Sequence, residues 1–185
     1  MKIALIVILV LVVAVVGWGV STNNRFVALN EGINGAWAQV ETVLQRRYDL
    51  IPNLVATVKG YAQHESGVLE EVTRLRSQWG AAKDTGAKVA AANQLEGALA
   101  RLMVVIERYP DLKANQNFLA LQDELAGTEN RIAVERRRYN EVVQGYNTAV
   151  SRFPASVIAG LGGYQRRDVY FKANEAAKDA PKVQF

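Results

Sequence analysis

One apolar stretch near the amino terminus constrains this chain more than any other feature. The run from Ile3 to Val20 contains eighteen residues and no charged or amide side chain. At about 1.5 Å per residue, a helix of this length crosses most of a hydrocarbon layer roughly 30 Å thick. The run therefore predicts a transmembrane anchor over residues 1–22, followed by a chain that is otherwise polar.

A cleaved secretory signal is the alternative interpretation of this run. Gly17-Trp18-Gly19 is the nearest small-x-small triplet, but no Ala-x-Ala follows, and the apolar region exceeds the roughly 7–15 residues of a signal core. Trp18 suits an interfacial aromatic residue. We therefore expect a single-pass membrane protein. Lys2 and Arg25 lie on opposite sides of the run and slightly favour a soluble domain on the exported side.

Charge and composition exclude several classes of partner. The 22 basic and 18 acidic residues give a formal net charge of +4, and the two signs alternate along the chain. Nucleic-acid-binding domains usually concentrate basic residues on one face and add stacking aromatics, so we expect no nucleic-acid partner. The chain has no cysteine, which excludes disulfides and cysteine-ligated metals. We identify no cofactor and no small-molecule substrate.

Apolar residues after the anchor recur at steps of three and four, which is typical of one helix face and of coiled-coil seams. The pattern predicts four helices. The first continues from the anchor, and Asp49 with Pro52 indicates either the start of a new helix or a kink without a break. The predicted helix ends are Tyr48, Trp79, Tyr109 and Phe153.

Short connections between long helices force antiparallel neighbours. The predicted fold class is therefore all-α, with an N-terminal transmembrane helix, a long antiparallel four-helix bundle over residues 23–153, and an irregular C-terminal tail. Residues 154–185 form an apolar, glycine-rich loop and tail in this interpretation. The last bundle helix would reach about 60 Å, so its surplus length predicts contact with the first or second helix or with another subunit.

Several sequence blocks follow one another in a specific order along almost the whole chain. They are Arg46 to Val55, Thr57 to Ala62, His64-Glu65, Tyr109 to Asn115, Glu129 to Ala133, Arg138 to Asn140, Tyr146-Asn147, Arg152 to Pro154 and Ala180 to Val183. These blocks resemble the LemA family. The resemblance implies a bacterial inner-membrane protein with an amino-terminal span and a soluble antiparallel helix bundle, and it implies no catalytic residue or cofactor. Gly163-Tyr164 departs mildly from the usual glycine-phenylalanine of the family.

His64-Glu65 is the only pair that suggests catalysis or zinc binding. A His-Glu-x-x-His site needs a second histidine, and the chain has one. Ser66 lacks the strained elbow of a serine nucleophile, and no glycine-rich phosphate loop is present. We therefore predict a protein that is not an enzyme, with a membrane-bound hydrolase that uses His64 and Glu65 as the minor alternative.

Glu65 and Glu135 occupy core positions of their heptads, where a carboxylate is costly unless it is paired. Their candidate partners are Arg46, Arg47, Arg131, Arg136 and Arg138. One hypothesis is a buried ion pair that fixes helix register. The other is a polar site near a bundle end that binds a partner and comprises Arg46, Arg47, Tyr48, Asp49 and Glu65, with Glu135 as a further candidate.

Apolar residues beyond the last bundle helix are candidate oligomer contacts. They are Ile158, Leu161, Tyr164, Tyr170, Phe171 and Phe185. They either pack on the parent bundle or dock on a neighbouring subunit.

The leading functional hypothesis is a membrane-anchored, non-enzymatic helical scaffold or adaptor. It self-associates as a homo-oligomer and binds an unidentified envelope protein. A membrane-shaping oligomeric assembly is the second hypothesis, and the hydrolase is the third.

Overall fold

The computed structural model describes residues 1–62 and 64–171. All regular elements in these two ranges are helices, and they pack antiparallel, which confirms the predicted all-α fold class. The helices are α1 (Lys2–Lys59), α2 (Ser66–Ala81), α3 (Thr85–Ile106), α4 (Pro110–Lys113), α5 (Gln116–Ser151) and α6 (Ala155–Leu161).

The first part of α1 has the properties of a membrane span. Every residue from Ile3 to Val20 is exposed except the half-buried Gly19. A long helix that presents apolar side chains on all sides is stable in lipid rather than in water. The helix α3 is also long and apolar enough to cross a membrane, but almost half of its apolar window is buried in the protein, as in a core helix.

Of the two interpretations of Asp49 and Pro52, the start of a new helix is wrong, because α1 continues without a break through Pro52 to Lys59. Proline has no N–H to donate to the carbonyl four residues earlier, here that of Tyr48. That carbonyl instead accepts a hydrogen bond from Nε of Arg76 on α2, at 3.1 Å. A side chain from a neighbouring helix therefore replaces the missing backbone donor.

The predicted second helix is consequently divided. Its first residues belong to the end of α1, the chain turns between residues 60 and 65, and α2 begins at Ser66. Asp84 then caps α3, since its Oδ1 accepts from the N–H of Ala87 at 2.8 Å. Asn115 caps α5 in the same way, with its Oδ1 accepting from the N–H of Phe118 at 3.1 Å.

Two compact units divide the chain, and α1 and α5 each contribute to both. Among the described residues, unit 1 comprises residues 1–39 and 137–170, and unit 2 comprises residues 40–136 with Phe171. The core of unit 2 is formed by α1, α2, α3 and α5. Its buried residues include Leu44, Ile51, Leu54, Val58, Leu69, Val72, Leu75, Leu95, Leu99, Leu102, Ile106, Phe118, Leu125 and Ile132.

Unit 1 contains the amino-terminal part of α1, the end of α5 and α6. Its buried residues include Phe26, Ile33, Ala36, Tyr139, Val143, Tyr146, Val150 and Ala159. Two contacts in unit 1 join α1 to α5. Trp37 packs edge-on against Tyr139 with ring centroids 5.7 Å apart, and a Cβ on Gly32 would lie 3.7 Å from Val142. The segment after α5, which the sequence predicted to be irregular, contains the short helix α6.

Candidate functional site

Four ion pairs in the described part of unit 2 join α1, α3 and α5 to one another. They are Glu41–Lys88 between α1 and α3, Arg46–Glu124 and Arg47–Glu129 between α1 and α5, and Glu96–Arg136 between α3 and α5, the last with Nη1 and Oε2 2.8 Å apart. The side chains of Arg47 and Arg136 are the most buried members of these pairs, at 11% and 16% exposed. These pairs hold the three helices in one register.

Tyr48 is a core residue rather than a surface residue. Its ring stacks on Trp79 with centroids 4.2 Å apart and an interplanar angle of 20°. Burial raises the pKa of Tyr48, partly offset by the charges of Arg47 and Arg136. Its hydroxyl is buried and finds no hydrogen-bond partner among residues 1–62 and 64–171. A partner protein cannot reach this side chain in the structure.

Glu65 lies at the turn after α1, away from the arginines that the sequence suggested for it. Its Oε1 accepts from Nη2 of Arg108 at 2.7 Å and from the hydroxyl of Tyr109 at 3.2 Å. Desolvation is the largest cause of the raised pKa of Tyr109, and the hydrogen bond to Glu65 and the charge of Glu65 raise this pKa further. Arg46 is about 20 Å from the end of α1 along the helix axis. No contact between Glu65 and Arg46 or Arg47 is found within the described ranges.

The other predicted site residues are also placed. Asp49 is exposed and accepts from Nε2 of Gln45 at 2.7 Å. Glu135 is half-buried, and its Oε2 is buried without a hydrogen-bond partner in the described part of the chain. Arg131 and Arg138 are exposed. The partner-binding role of this residue set stays a prediction, and its members do not form one cluster.

A surface groove lies between α3 and α5, beside Arg47. Its volume is about 330 Å³. Leu99, Met103 and Leu125 supply an apolar lining, whereas Arg47, Glu96 and Glu129 contribute charge. Ala100, Gln122 and Ala126 complete the lining. An apolar trough bordered by paired charges can accept the apolar side of a helix while its rim stays hydrated.

His64 lies exposed in the turn between α1 and α2. In the ranges that the structure describes, no three His, Cys, Asp or Glu residues are grouped so that they could hold a metal ion.

Most of the candidate oligomer contacts touch their own chain. The Tyr164 hydroxyl donates to Oδ1 of Asn23 at 3.1 Å, and Asn147 donates to the Tyr170 hydroxyl at 2.8 Å. The Phe171 ring lies 5.0 Å from the guanidinium carbon of Arg136.

Ile158 and Leu161 lie on α6 and differ in burial. Ile158 is half-buried, whereas Leu161 is 82% exposed. Phe185 lies outside the described residues. Docking of these side chains on a neighbouring subunit stays a prediction.

Comparison with known proteins identifies the family. The LemA family pattern matches residues 36–185. The chain belongs to the LemA family. Its relatives include "Magnetosome protein MamQ 2" of Paramagnetospirillum magneticum, 28% identical over 97% of this chain and 75% of that protein. "Magnetosome protein MamQ" of Magnetospirillum gryphiswaldense is 25% identical over 86% of this chain and 68% of that protein. "Protein LemA" of Metamycoplasma hominis is 24% identical over 89% of this chain and 73% of that protein.

The family match confirms the resemblance that the sequence blocks predicted. Together with the exposed apolar part of α1, it identifies this LemA-family chain as a membrane-associated helical protein. Sequence reasoning missed the groove, because its lining comes from three helices that are distant in sequence. The sequence signal that could have indicated a groove is the presence of two small residues, Ala100 and Ala126, beside heptad positions of α3 and α5.

Proposed function

We propose that this LemA-family protein is a membrane-anchored helical scaffold that self-associates and binds envelope proteins through unit 2. The groove between α3 and α5 carries the proposal. Its apolar lining includes Leu99, Met103 and Leu125, and helix-in-groove recognition uses a lining of this kind.

Exposed apolar residues supply a matching feature on the same unit. Val104 on α3 is 72% exposed, and Val134 on α5 is 51% exposed. Isolated exposed apolar residues are common on soluble proteins, but here they accompany an apolar trough. A second copy can bury such residues in the groove, and a helix of an envelope partner can use the same trough.

The interhelical ion pairs support a scaffold because they link three helices of unit 2 to one another. Arg47 and Arg136 hold α5 against α1 and α3. A preformed groove loses little conformational entropy when it binds a helix.

The proposed role is non-enzymatic. The carboxylate of Glu65 is engaged by Arg108 and Tyr109, and His64 is exposed in a turn. A hydrolase that uses this pair would need a concave pocket around both residues.

Photo-crosslinking in native membranes tests the proposal. A photoreactive amino acid at Ala126, which is exposed in the groove, is compared with one at Ser77, which is exposed on α2. We expect position 126 to yield a product of two copies of the chain, or a product with an envelope protein identified by mass spectrometry. Position 77 should yield much less. Equal yields at the two positions would contradict a role for the groove.

A further inference from the structure

The short helix α6 carries an exposed apolar stripe. Phe153, two residues before α6, is 80% exposed, Val157 is 54% exposed and Leu161 is 82% exposed. Val157 and Leu161 are four residues apart and lie on one side of α6, and Phe153 lies in the turn that leads into the helix. Three large exposed apolar residues in and just before a seven-residue helix are unusual for a surface in water.

Contacts with α1 place α6 at the end of the membrane span. A Cβ on Gly19 would lie 3.6 Å from Cδ1 of Ile158. Trp18 and Phe153 line the same cavity, whose volume is about 550 Å³. Gly19 is one residue from the end of the apolar run at Val20, so α6 lies level with the last turn of the span.

After α6, the chain runs along α1 away from the last turn of the span. Tyr164 donates to Asn23, and its ring centroid is 5.2 Å from that of Phe26. Farther on, the Arg167 guanidinium donates to Oδ1 of Asn30 at 2.9 Å. From Gly19 to Asn30, α1 rises about 16 Å. Within unit 1, α6 is therefore the element nearest the hydrocarbon layer.

Basic residues lie at the same level as α6. Arg152 directly precedes Phe153, and Arg25 is about one turn beyond the end of the apolar run. Both are exposed, and both line the cavity shared by Trp18 and Phe153. Arginines at this height can reach lipid phosphates while their aliphatic stems stay in the interface.

We infer that α6 is an interfacial membrane-binding element. Its exposed stripe of Phe153, Val157 and Leu161 lies in the outer hydrocarbon of the same bilayer that Ile3 to Val20 crosses, and Arg25 and Arg152 contact anionic phospholipid headgroups. The occupant of the stripe is lipid because Ile158 joins α6 to the last turn of the span. The inference depends on the span and is independent of the scaffold role.

Spin labelling tests the inference directly, because the chain has no cysteine. Leu161→Cys and Val157→Cys are labelled with a nitroxide in the full chain, in nanodiscs of phosphatidylcholine with phosphatidylglycerol. Leu11→Cys is the control within lipid. Asn34→Cys, an exposed position on α1 beyond the span, is the control in water. Collision rates are measured with oxygen, which concentrates in lipid, and with a water-soluble nickel chelate.

Labels at positions 157 and 161 should have an oxygen-to-nickel collision ratio several-fold above that at position 34, approaching that at position 11. A ratio equal to that at position 34 would show that α6 faces water and would overturn the inference. Low collision rates with both reagents, together with dipolar coupling between labels on different copies, would show that a second copy covers the stripe and would also overturn it. Both substituted side chains are exposed, so neither substitution removes a core contact.

Discussion

Removal of the Arg76 guanidinium should destabilise the folded chain because the carbonyl of Tyr48 then loses its donor. The bond from Nε is 3.1 Å long and partly buried. A hydrogen bond from a charged group contributes about 1.5–3 kcal/mol, so we expect Arg76→Met to lower the free energy of unfolding by about 2 kcal/mol. Methionine keeps most of the aliphatic packing of the arginine stem.

The same substitution should cost much less when Pro52 is replaced. Pro52→Ala restores an N–H that can donate to the Tyr48 carbonyl within α1. Arg76→Met should then cost less than about 1 kcal/mol, because the carbonyl keeps a backbone partner. The two substitutions are therefore coupled by about 1–2 kcal/mol, well above the roughly 0.5 kcal/mol scatter of independent sites.

Urea unfolding of the full chain in detergent micelles, followed by circular dichroism, measures this coupling in a double-mutant cycle. Arg74→Met is the matched control, because Arg74 is exposed and its ion pair with Glu71 spans one turn of α2 at 2.9 Å. Its cost should be below about 0.5 kcal/mol and independent of position 52. Equal costs of Arg76→Met in the two backgrounds would refute the explanation for the continuity of α1.

Three further comparisons use the same unfolding assay. Tyr48→Phe should raise stability by up to about 1 kcal/mol, whereas Tyr146→Phe, which deletes a 2.9 Å hydrogen bond, should lower it by about 1 kcal/mol. Above about pH 10, unfolded wild type ionises at position 48, while the raised pKa keeps the folded side chain neutral. The free energy of unfolding of wild type should then fall relative to that of Tyr48→Phe. A difference between the two proteins that does not change with pH would count against this pKa shift. Glu129→Gln should lower the free energy of unfolding by about 1–3 kcal/mol, because it leaves the mostly buried guanidinium of Arg47 unpaired. Glu124→Gln, in a more exposed pair, should lower it by under about 0.5 kcal/mol. A larger loss for Glu124→Gln than for Glu129→Gln would contradict the ranking of the two pairs by burial. Asp84→Ala should cost about 1 kcal/mol through loss of the α3 cap, and no loss would exclude that role.

Hydrophobic periodicity predicted the helices well where each one buries a continuous stripe. The third predicted helix corresponds to α3, with Leu95, Leu99 and Leu102 buried as its heptads required. Periodicity failed at the turn between residues 60 and 65, because Leu54, Val58 and Tyr61 continue the three-and-four spacing into the end of α1. Tyr61 is 44% exposed, so the pattern continued in sequence beyond the end of the buried stripe.

The interpretation of Pro52 as part of a new helix start failed for a different physical reason. The local sequence shows that Pro52 lacks an N–H, but it does not show which distant side chain compensates for the missing donor. Arg76 reaches the Tyr48 carbonyl only because α2 turns back against α1. Pairing of charges has the same dependence on tertiary structure. Heptad positions indicated that Glu65 needs a partner, but its partners Arg108 and Tyr109 follow from the packing of α3 beside the turn.

Anchoring by a single helix leaves a protein free to rotate about the membrane normal and to tilt. An interfacial α6 would restrict the tilt of unit 1, because Ile158 connects it to the last turn of the span at Gly19. It would also add cross-sectional area to one leaflet, where Phe153 and Leu161 displace lipid. Self-association through the unit 2 groove would gather many copies of α6 in that leaflet. The membrane-shaping hypothesis therefore requires both properties, and loss of either the groove crosslinks or the lipid exposure of position 161 would remove its physical basis.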